Sequence, residues 1–167
     1  MTTIRITDNS NVDEILREIR NLKRKEIKVG VHGQGEISMI ANVHEYGTTI
    51  RVTPKMRGWF SAQGYPLKKS TTEIVIPERS FIRSGFDENV DDVFNKMRDL
   101  FPQVLELNLN ANVFADMVGL EMAGKIQDKI QSLRSPANSQ MTKDRKGSSN
   151  PLIDSGRLLG AIDRRVE

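Results

Sequence analysis

The sequence predicts an α+β protein: a small, largely antiparallel sheet packed against several helices, with a long flexible polar loop before a short C-terminal helix. Three short runs rich in β-branched residues, at 27–31, 48–53 and 71–76, are separated by short elements, as in antiparallel sheets. Two longer stretches, 87–101 and 110–133, instead repeat apolar residues at helical spacing. The length of 167 residues suits one domain, 1–167, with a modest core.

The first third of the chain alternates helix and strand signals. A capping box that begins at Asn11 precedes an amphipathic pattern over residues 12–25, which predicts a helix. After the first strand, the glycines of residues 32–35 predict a turn with positive φ. Residues 37–44 return to helical spacing, and Gly47 is placed to end that helix.

A small helical insertion, at about 54–70, follows the second strand. Thr53 is a plausible cap, and the insertion contains Trp59 and Phe60, which could lie at an interface. The surrounding segment 46–72 has five cations and no acid. Because aromatic rings stack on bases and cations contact phosphates, this segment is the basis of an alternative function, a nucleic-acid-binding module. The competing interpretation is that the rings pack the insertion onto the body.

The two long helical stretches are expected to form most of the core. Pro102 should kink or restart the first one, because it lacks an N–H group. The second, 110–133, is apolar around most of its circumference, which predicts packing on more than one side. We expect Leu120 on the core side, and Met122 with Ile126 at an interface with another subunit.

The polar stretch 135–150 shows no periodicity, and its few apolar residues cannot offset the cost of ordering it. We expect it to be a flexible loop that becomes ordered on assembly, with Lys143, Arg145 and Lys146 at a possible interface. Beyond it, Asp154 and Ser155 precede a short apolar pattern, so they are expected to cap a short helix.

Composition excludes several classes of protein. The chain has no cysteine, so disulfides and thiolate metal sites are impossible. It shows no signal-peptide pattern and no apolar run long enough to span a membrane, so we expect a soluble protein without membrane contact. The net charge of +3 is unevenly distributed, since 46–72 is basic and 87–99 is acidic. This asymmetry favours pairing between subunits, although simple solvation of both faces explains it equally well.

No candidate catalytic or metal set fits its chemistry well. His32, His44 and Glu45 lack the spacing of known metal motifs. Ser155 could be combined with His44 and Asp154 as a triad, but no G-x-S-x-G elbow is present. The glycines of 32–35 lack the lysine of a phosphate-binding loop. We therefore expect no enzymatic activity, no metal and no cofactor.

Three sequence segments occur in an order that is similar to a known family. They are HEYG at 44–47, IPERSFIR at 76–83 and PLIDSGRLLGAI at 151–162. Taken together over about residues 27–162, the chain resembles the tail-completion or head–tail joining proteins of long-tailed bacteriophages, the virion morphogenesis group. The resemblance implies a structural protein that completes the tail or the head–tail junction as an oligomeric ring, in the virion and, during assembly, in the host cytoplasm.

The resemblance also implies partners and pattern residues. The partners would be copies of the chain, a head-side connector, and the tail terminator or tail tube protein, with incidental contact to DNA. The pattern residues, with roles in turns, capping and packing, are His44, Glu45, Tyr46, Gly47, Pro77, Arg79, Ser80, Phe81, Arg83, Asp154, Ser155, Gly156, Arg157 and Leu158. Two departures stand out: Ser155 replaces a threonine, and the sequence up to Glu167 leaves little room for the final strand of such proteins.

Overall fold

The fold is α+β, as the sequence predicts. It was examined in a computed structural model that describes residues 10–32 and 35–167. The glycine turn expected at 32–35 therefore lies partly outside the described residues. The elements in the described part are α1 (Val12–Leu22), β1 (Ile27–Val31), α2 (Glu36–Tyr46), β2 (Thr48–Arg51), α3 (Pro54–Ala62), β3 (Glu73–Ile76), α4 (Ile82–Leu105), α5 (Ala111–Ser132), α6 (Gln140–Lys146), α7 (Arg157–Gly160) and β4 (Ile162–Val166).

The core is built on an antiparallel hairpin of α4 and α5. Helix α4 continues through Pro102 to Leu105 without restarting. Near the connection, the rings of Phe101 and Phe114 meet edge to face, with centroids 6.2 Å apart. The Asn110 side chain caps the start of helix α5, because it accepts a hydrogen bond from the Val113 N–H at 3.0 Å. Three ion pairs cross one side of the hairpin: Glu88–Lys129, Asp92–Lys125 and Lys96–Glu121.

The strands form two separate antiparallel ribbons. One joins β1 to β4, in a register that places Ile27 opposite Val166. The expectation that the chain has little room for a final strand is therefore wrong, since β4 takes that place. This ribbon packs on α5 at Gly119, where an added Cβ would lie only 2.9 Å from the side chain of Arg164. Arg164 in turn makes two 3.0 Å hydrogen bonds to the Asp116 carboxylate on α5.

The second ribbon, β2 with β3, and the helix α3 between its strands form a unit that we call the arm, residues 48–76. The insertion helix begins as predicted, because the Thr53 hydroxyl accepts a hydrogen bond from the Met56 N–H at 3.2 Å. Arg57 closes the arm internally. Its guanidinium donates to the backbone carbonyls of Lys68, at 3.0 Å, and of Thr71.

The segment 135–150 contains a helix, which corrects the prediction that it lacks regular structure. The Ser139 hydroxyl accepts from the Thr142 N–H, and Gly147 ends α6 in the left-handed conformation. At its end, the buried Asn150 side chain donates to the carbonyls of Ile130 and Gln131, the last turn of α5. The mobility of the segment in the free protein stays a prediction.

Two predicted caps are not formed. The Asn11 side chain makes no capping hydrogen bond at the start of α1, so the capping box is wrong. At α7 the N-cap is Gly156, with φ of 81°, and the exposed side chains of Asp154 and Ser155 make no cap either. A left-handed glycine already turns the chain into this helix, so it forms without a side-chain acceptor.

The predicted interface side of α5 is also wrong. Met122 and Ile126 are core residues, 5% and 1% exposed, whereas Leu120 is 55% exposed. The error arose because α5 has three packed neighbours, namely α4, the β1/β4 ribbon and α1. The apolar stripe left exposed on α5 consists of Val113, Met117 and Leu120.

This arrangement predicts opposite outcomes for two aspartate substitutions. Met122→Asp places a carboxylate in the core and should lower the free energy of unfolding by about 3 kcal/mol or more. Leu120→Asp should change it by less than about 0.5 kcal/mol, because this side chain is mostly in water. Urea unfolding followed by circular dichroism measures both. Equal destabilisation by the two variants would show that α5 is oriented differently.

Candidate functional site

The Glu45 carboxylate is the centre of the pattern residues named in the sequence. It lies in the last turn of α2, is 3% exposed, and faces the start of α4. Its oxygens accept hydrogen bonds from the backbone N–H groups of Phe81 at 2.8 Å, Ile82 at 2.9 Å and Arg83 at 3.0 Å. The residue at the cap position of α4, Phe81, supplies no capping side chain. Glu45 therefore caps α4 from another helix, where a negative charge also favours the helix dipole.

Neighbouring motif residues complete this cap. The Ser80 hydroxyl donates to Glu45 at 2.7 Å. Arg83 donates to the Glu45 carboxylate at 3.1 Å and to the Glu78 carboxylate at 2.7 Å, and its guanidinium lies 4.8 Å from the centre of the Tyr46 ring. Burial alone raises the pKa of the Glu45 carboxyl. The hydrogen bonds outweigh this effect and hold the pKa below its ordinary value of 4.5.

Gly47 is required where α2 turns into the arm. Its φ is 68°, and a Cβ there would lie 2.8 Å from the backbone nitrogen of Glu78. Only glycine fits such a close approach with positive φ. Pro77 ends β3 directly opposite this turn, so both motifs meet where the arm joins the body.

Arg79 and His44 join this region to the segment 135–150. Arg79 is buried, and its guanidinium donates to the carbonyls of Pro136 at 2.6 Å and Ala137 at 3.2 Å. Its backbone N–H donates to the carbonyl of His44 at 2.7 Å. Burial and the Arg79 charge lower the pKa of His44 to about 4, so its ring is neutral at physiological pH.

The C-terminal motif borders a pocket beside His44. The pocket has a volume of about 340 Å³, and its lining includes His44, Lys146 and residues 154–158. Lys146 donates to the carbonyls of Asn150 and Pro151, and its burial lowers its pKa. Thus the motif residues from three distant segments meet in one region, on either side of the end of α2.

This region does not assemble the alternative chemistry considered from sequence. No hydrogen bond within the described part joins Ser155, His44 and Asp154, and the Nδ1 atom of His44 lies 3.4 Å from the Arg79 guanidinium instead. His32 bonds to the backbone carbonyl of Asp163. Among residues 10–32 and 35–167, no group of histidine and acidic side chains has the arrangement of a metal site.

The predicted basic surface is extended by α6. Arg145 lies 5.3 Å from the centre of the exposed Trp59 ring, and the Tyr65 hydroxyl donates to Asp144. Phe60 is half-buried and packs edge to face on Trp59. Residues 48–72 carry five cations and no acid, and residues 139–147 carry three cations against one acid. These segments therefore have a net charge of +7 in a chain of net charge +3.

Sequence reasoning missed two contributors to this region. Asn150 was treated only as the end of a loop, although its side-chain amide oxygen also accepts from the backbone N–H groups of Leu152 and Ile153. An asparagine before a proline does indicate a turn. Glu36, which pairs with Arg157 at 2.9 Å, carried no signal, because the two residues are far apart in sequence.

Comparisons with known proteins add no assignment: no family model, curated protein or solved structure matches the chain. Within the described residues, none of the helices combines the length and apolarity that crossing a bilayer demands.

The Glu45 cap predicts a large effect of a small change. Glu45→Gln removes the charge and directs an amide N–H₂ group at the N–H groups of α4, so the free energy of unfolding should fall by about 1.5–3 kcal/mol. Glu78→Gln is the matched control, because Glu78 is an exposed partner of Arg83 and its loss should cost less than about 1 kcal/mol. Urea unfolding compares the two, and equal effects would argue against the cap.

The low pKa of His44 predicts a pH dependence of stability. Between pH 6.5 and about 4 the unfolded chain binds a proton at His44 that the folded protein does not bind, so the free energy of unfolding falls as the pH falls. His44→Asn cannot titrate and should flatten the slope in this window. In this variant the loss of stability caused by protonation of Glu45 remains, and it begins below the ordinary pKa of 4.5. An unchanged slope, measured by urea unfolding across pH, would contradict the assignment.

Proposed function

We propose that the protein is a virion-assembly component of a long-tailed bacteriophage, which completes the tail or the head–tail junction as an oligomeric ring. The observation that carries this proposal is that the pattern residues implied by the resemblance converge on one region. Glu45, Arg79 and Gly47 there hold α2, α4, the segment 135–150 and the base of the arm together. Their contacts are capping, tethering and close packing, which are the roles expected of a structural protein.

The surfaces outside this region suit a protein that binds other subunits. The stripe of Val113, Met117 and Leu120 on α5 is exposed, and apolar side chains grouped in this way are typical of interaction sites. The arm adds a second exposed surface, which is rich in cations where the stripe on α5 is apolar. In the proposed ring, these surfaces contact copies of the chain, a head-side connector, and the tail terminator or tail tube protein.

Deletion of the gene from the phage genome tests the proposal. Filled heads and separate tails that fail to join, or tails with faulty ends, are the expected products in electron micrographs of the lysate. Supplying the gene in trans should restore joined particles. A deletion strain that yields normal infectious particles would contradict the proposed function.

A second candidate function is nucleic-acid binding by the arm and α6. The contact of Arg145 with Trp59 favours it, because this contact joins two basic segments into one surface beside exposed aromatic rings. Duplex and single-stranded DNA would then bind with an affinity that falls steeply with salt, and the double variant Lys68→Ser, Lys69→Ser would weaken binding regardless of sequence. Binding that survives this change would exclude the arm as the contact surface.

A further inference from the structure

Strand β1 has a free edge. Glu26 and Glu167 exchange both backbone hydrogen bonds, at 2.9 and 3.0 Å. Because bonded and non-bonded pairs alternate along an antiparallel ladder, the backbone groups of Ile27, Val29 and Val31 point away from β4. These groups have no strand beside them in the described part of the chain.

An apolar groove lies directly beside this edge. It has a volume of about 460 Å³ and runs between β1 and the first turns of α4, over α5. Its floor is formed by Met122 and Ile126, and the half-exposed Phe86 forms part of its wall. We call this feature the edge groove; its apolar lining is Ile27, Val29, Ile82, Phe86, Met122 and Ile126.

Strand β3 of the arm has an exposed apolar residue and a free side, which match the edge groove. Val75 on β3 is 66% exposed, more than any other apolar residue in either strand of its ribbon. The hydrogen bond from the Val52 N–H to the Thr72 carbonyl sets the alternation, so the backbone groups of Val75 point outward from the free side of β3. An isolated two-stranded ribbon is marginally stable, and an additional strand relieves this weakness.

The charges around the edge groove favour a second copy of the chain as the partner that binds there. Asp87 lines the edge groove and Asp91 lies one turn further along α4, and neither is in the ion pairs found among residues 10–32 and 35–167. The other two acids nearby, Glu88 and Asp92, are neutralised by lysines of α5. The groove is also lined by the cation Arg83, whose charge is balanced by Glu45 and Glu78. The arm carries four exposed cations against one exposed acid, Glu73; the cations are Arg51, Lys55, Lys68 and Lys69. The arm is therefore complementary in charge to the groove of another copy.

We infer that the arm of one copy docks in the edge groove of the next, with β3 pairing antiparallel to β1. Val75 then lies opposite Val29, and because opposed residues share a face of the sheet, its side chain enters the apolar groove. Each copy uses its arm on one neighbour and its groove on the other. Such head-to-tail contacts close into a ring when the rotation between copies permits. This inference deepens the proposed function and rests on it for the biological role of the ring.

A disulfide between copies tests the pairing directly, because the natural chain has no cysteine. The full-length variants Val29→Cys and Val75→Cys are purified separately, mixed and mildly oxidised. Opposed residues of a bonded antiparallel pair have Cα atoms about 5.5 Å apart, which suits a disulfide. The mixture should form cross-linked dimers at least ten times faster than a mixture of Val75→Cys with Met39→Cys, whose site on α2 is 60% exposed but lies in neither of the paired strands.

A second variant measures what the contact contributes. Val75→Asp should weaken self-association at least tenfold in sedimentation experiments, with an unchanged urea midpoint, whereas Met39→Asp should associate like the wild type. Equal cross-linking in the two mixtures, a wild-type chain that stays monomeric at every concentration, or normal association of Val75→Asp would overturn the inference. These assays use the purified protein alone. A failed docking contact is thereby distinguishable from a failed assembly function, which the deletion strain reports.

Discussion

The structure depends most on one buried carboxylate. Helix α4 supplies half of the core hairpin, and its first N–H groups would be without partners if Glu45 did not reach them from α2. The contact fixes the end of α2 against the start of α4, and so determines where Gly47 begins the arm and where Arg83 can bind. The stabilisation is electrostatic and local, but it fixes the end of one helix against the start of another.

Hydrogen bonds made by buried polar side chains compensate for a small apolar core. Only 37% of the residues are hydrophobic and 5% are aromatic. Much of the segment 135–150 is held through backbone carbonyls, which accept from Arg79 at one end and from Lys146 at the other. The Asn150 side chain then ties the end of this segment to the last turn of α5. A segment with little to bury is thus held by hydrogen bonds to its backbone, which side-chain composition does not reveal.

The sequence predicted those features that depend on short-range patterns. The α+β class, the cap at Thr53 and the glycine turn at Gly47 follow from periodicity and turn chemistry, and all are present. Long-range partners determine the remainder. Which side of α5 is buried depends on β4 and α1, so Met122 and Leu120 were exchanged. Glu45 was identified through the motif alone, and its capping role required knowledge of where α4 begins.

The pairing of β1 with β4 has a consequence for biosynthesis. Val31 lies opposite Ile162, so about 130 residues separate the two strands in the chain. During translation, β1 emerges from the ribosome long before its partner, and the α5 surface that the ribbon covers stays open to water for that time. Helical contacts between α4 and α5 are close in sequence and form early, whereas closure of the ribbon comes last. Until β4 is made, the nascent chain exposes an unpaired β1 strand and apolar surface on α5, so unfinished copies on one polysome are prone to associate, and pairing of β4 removes this hazard.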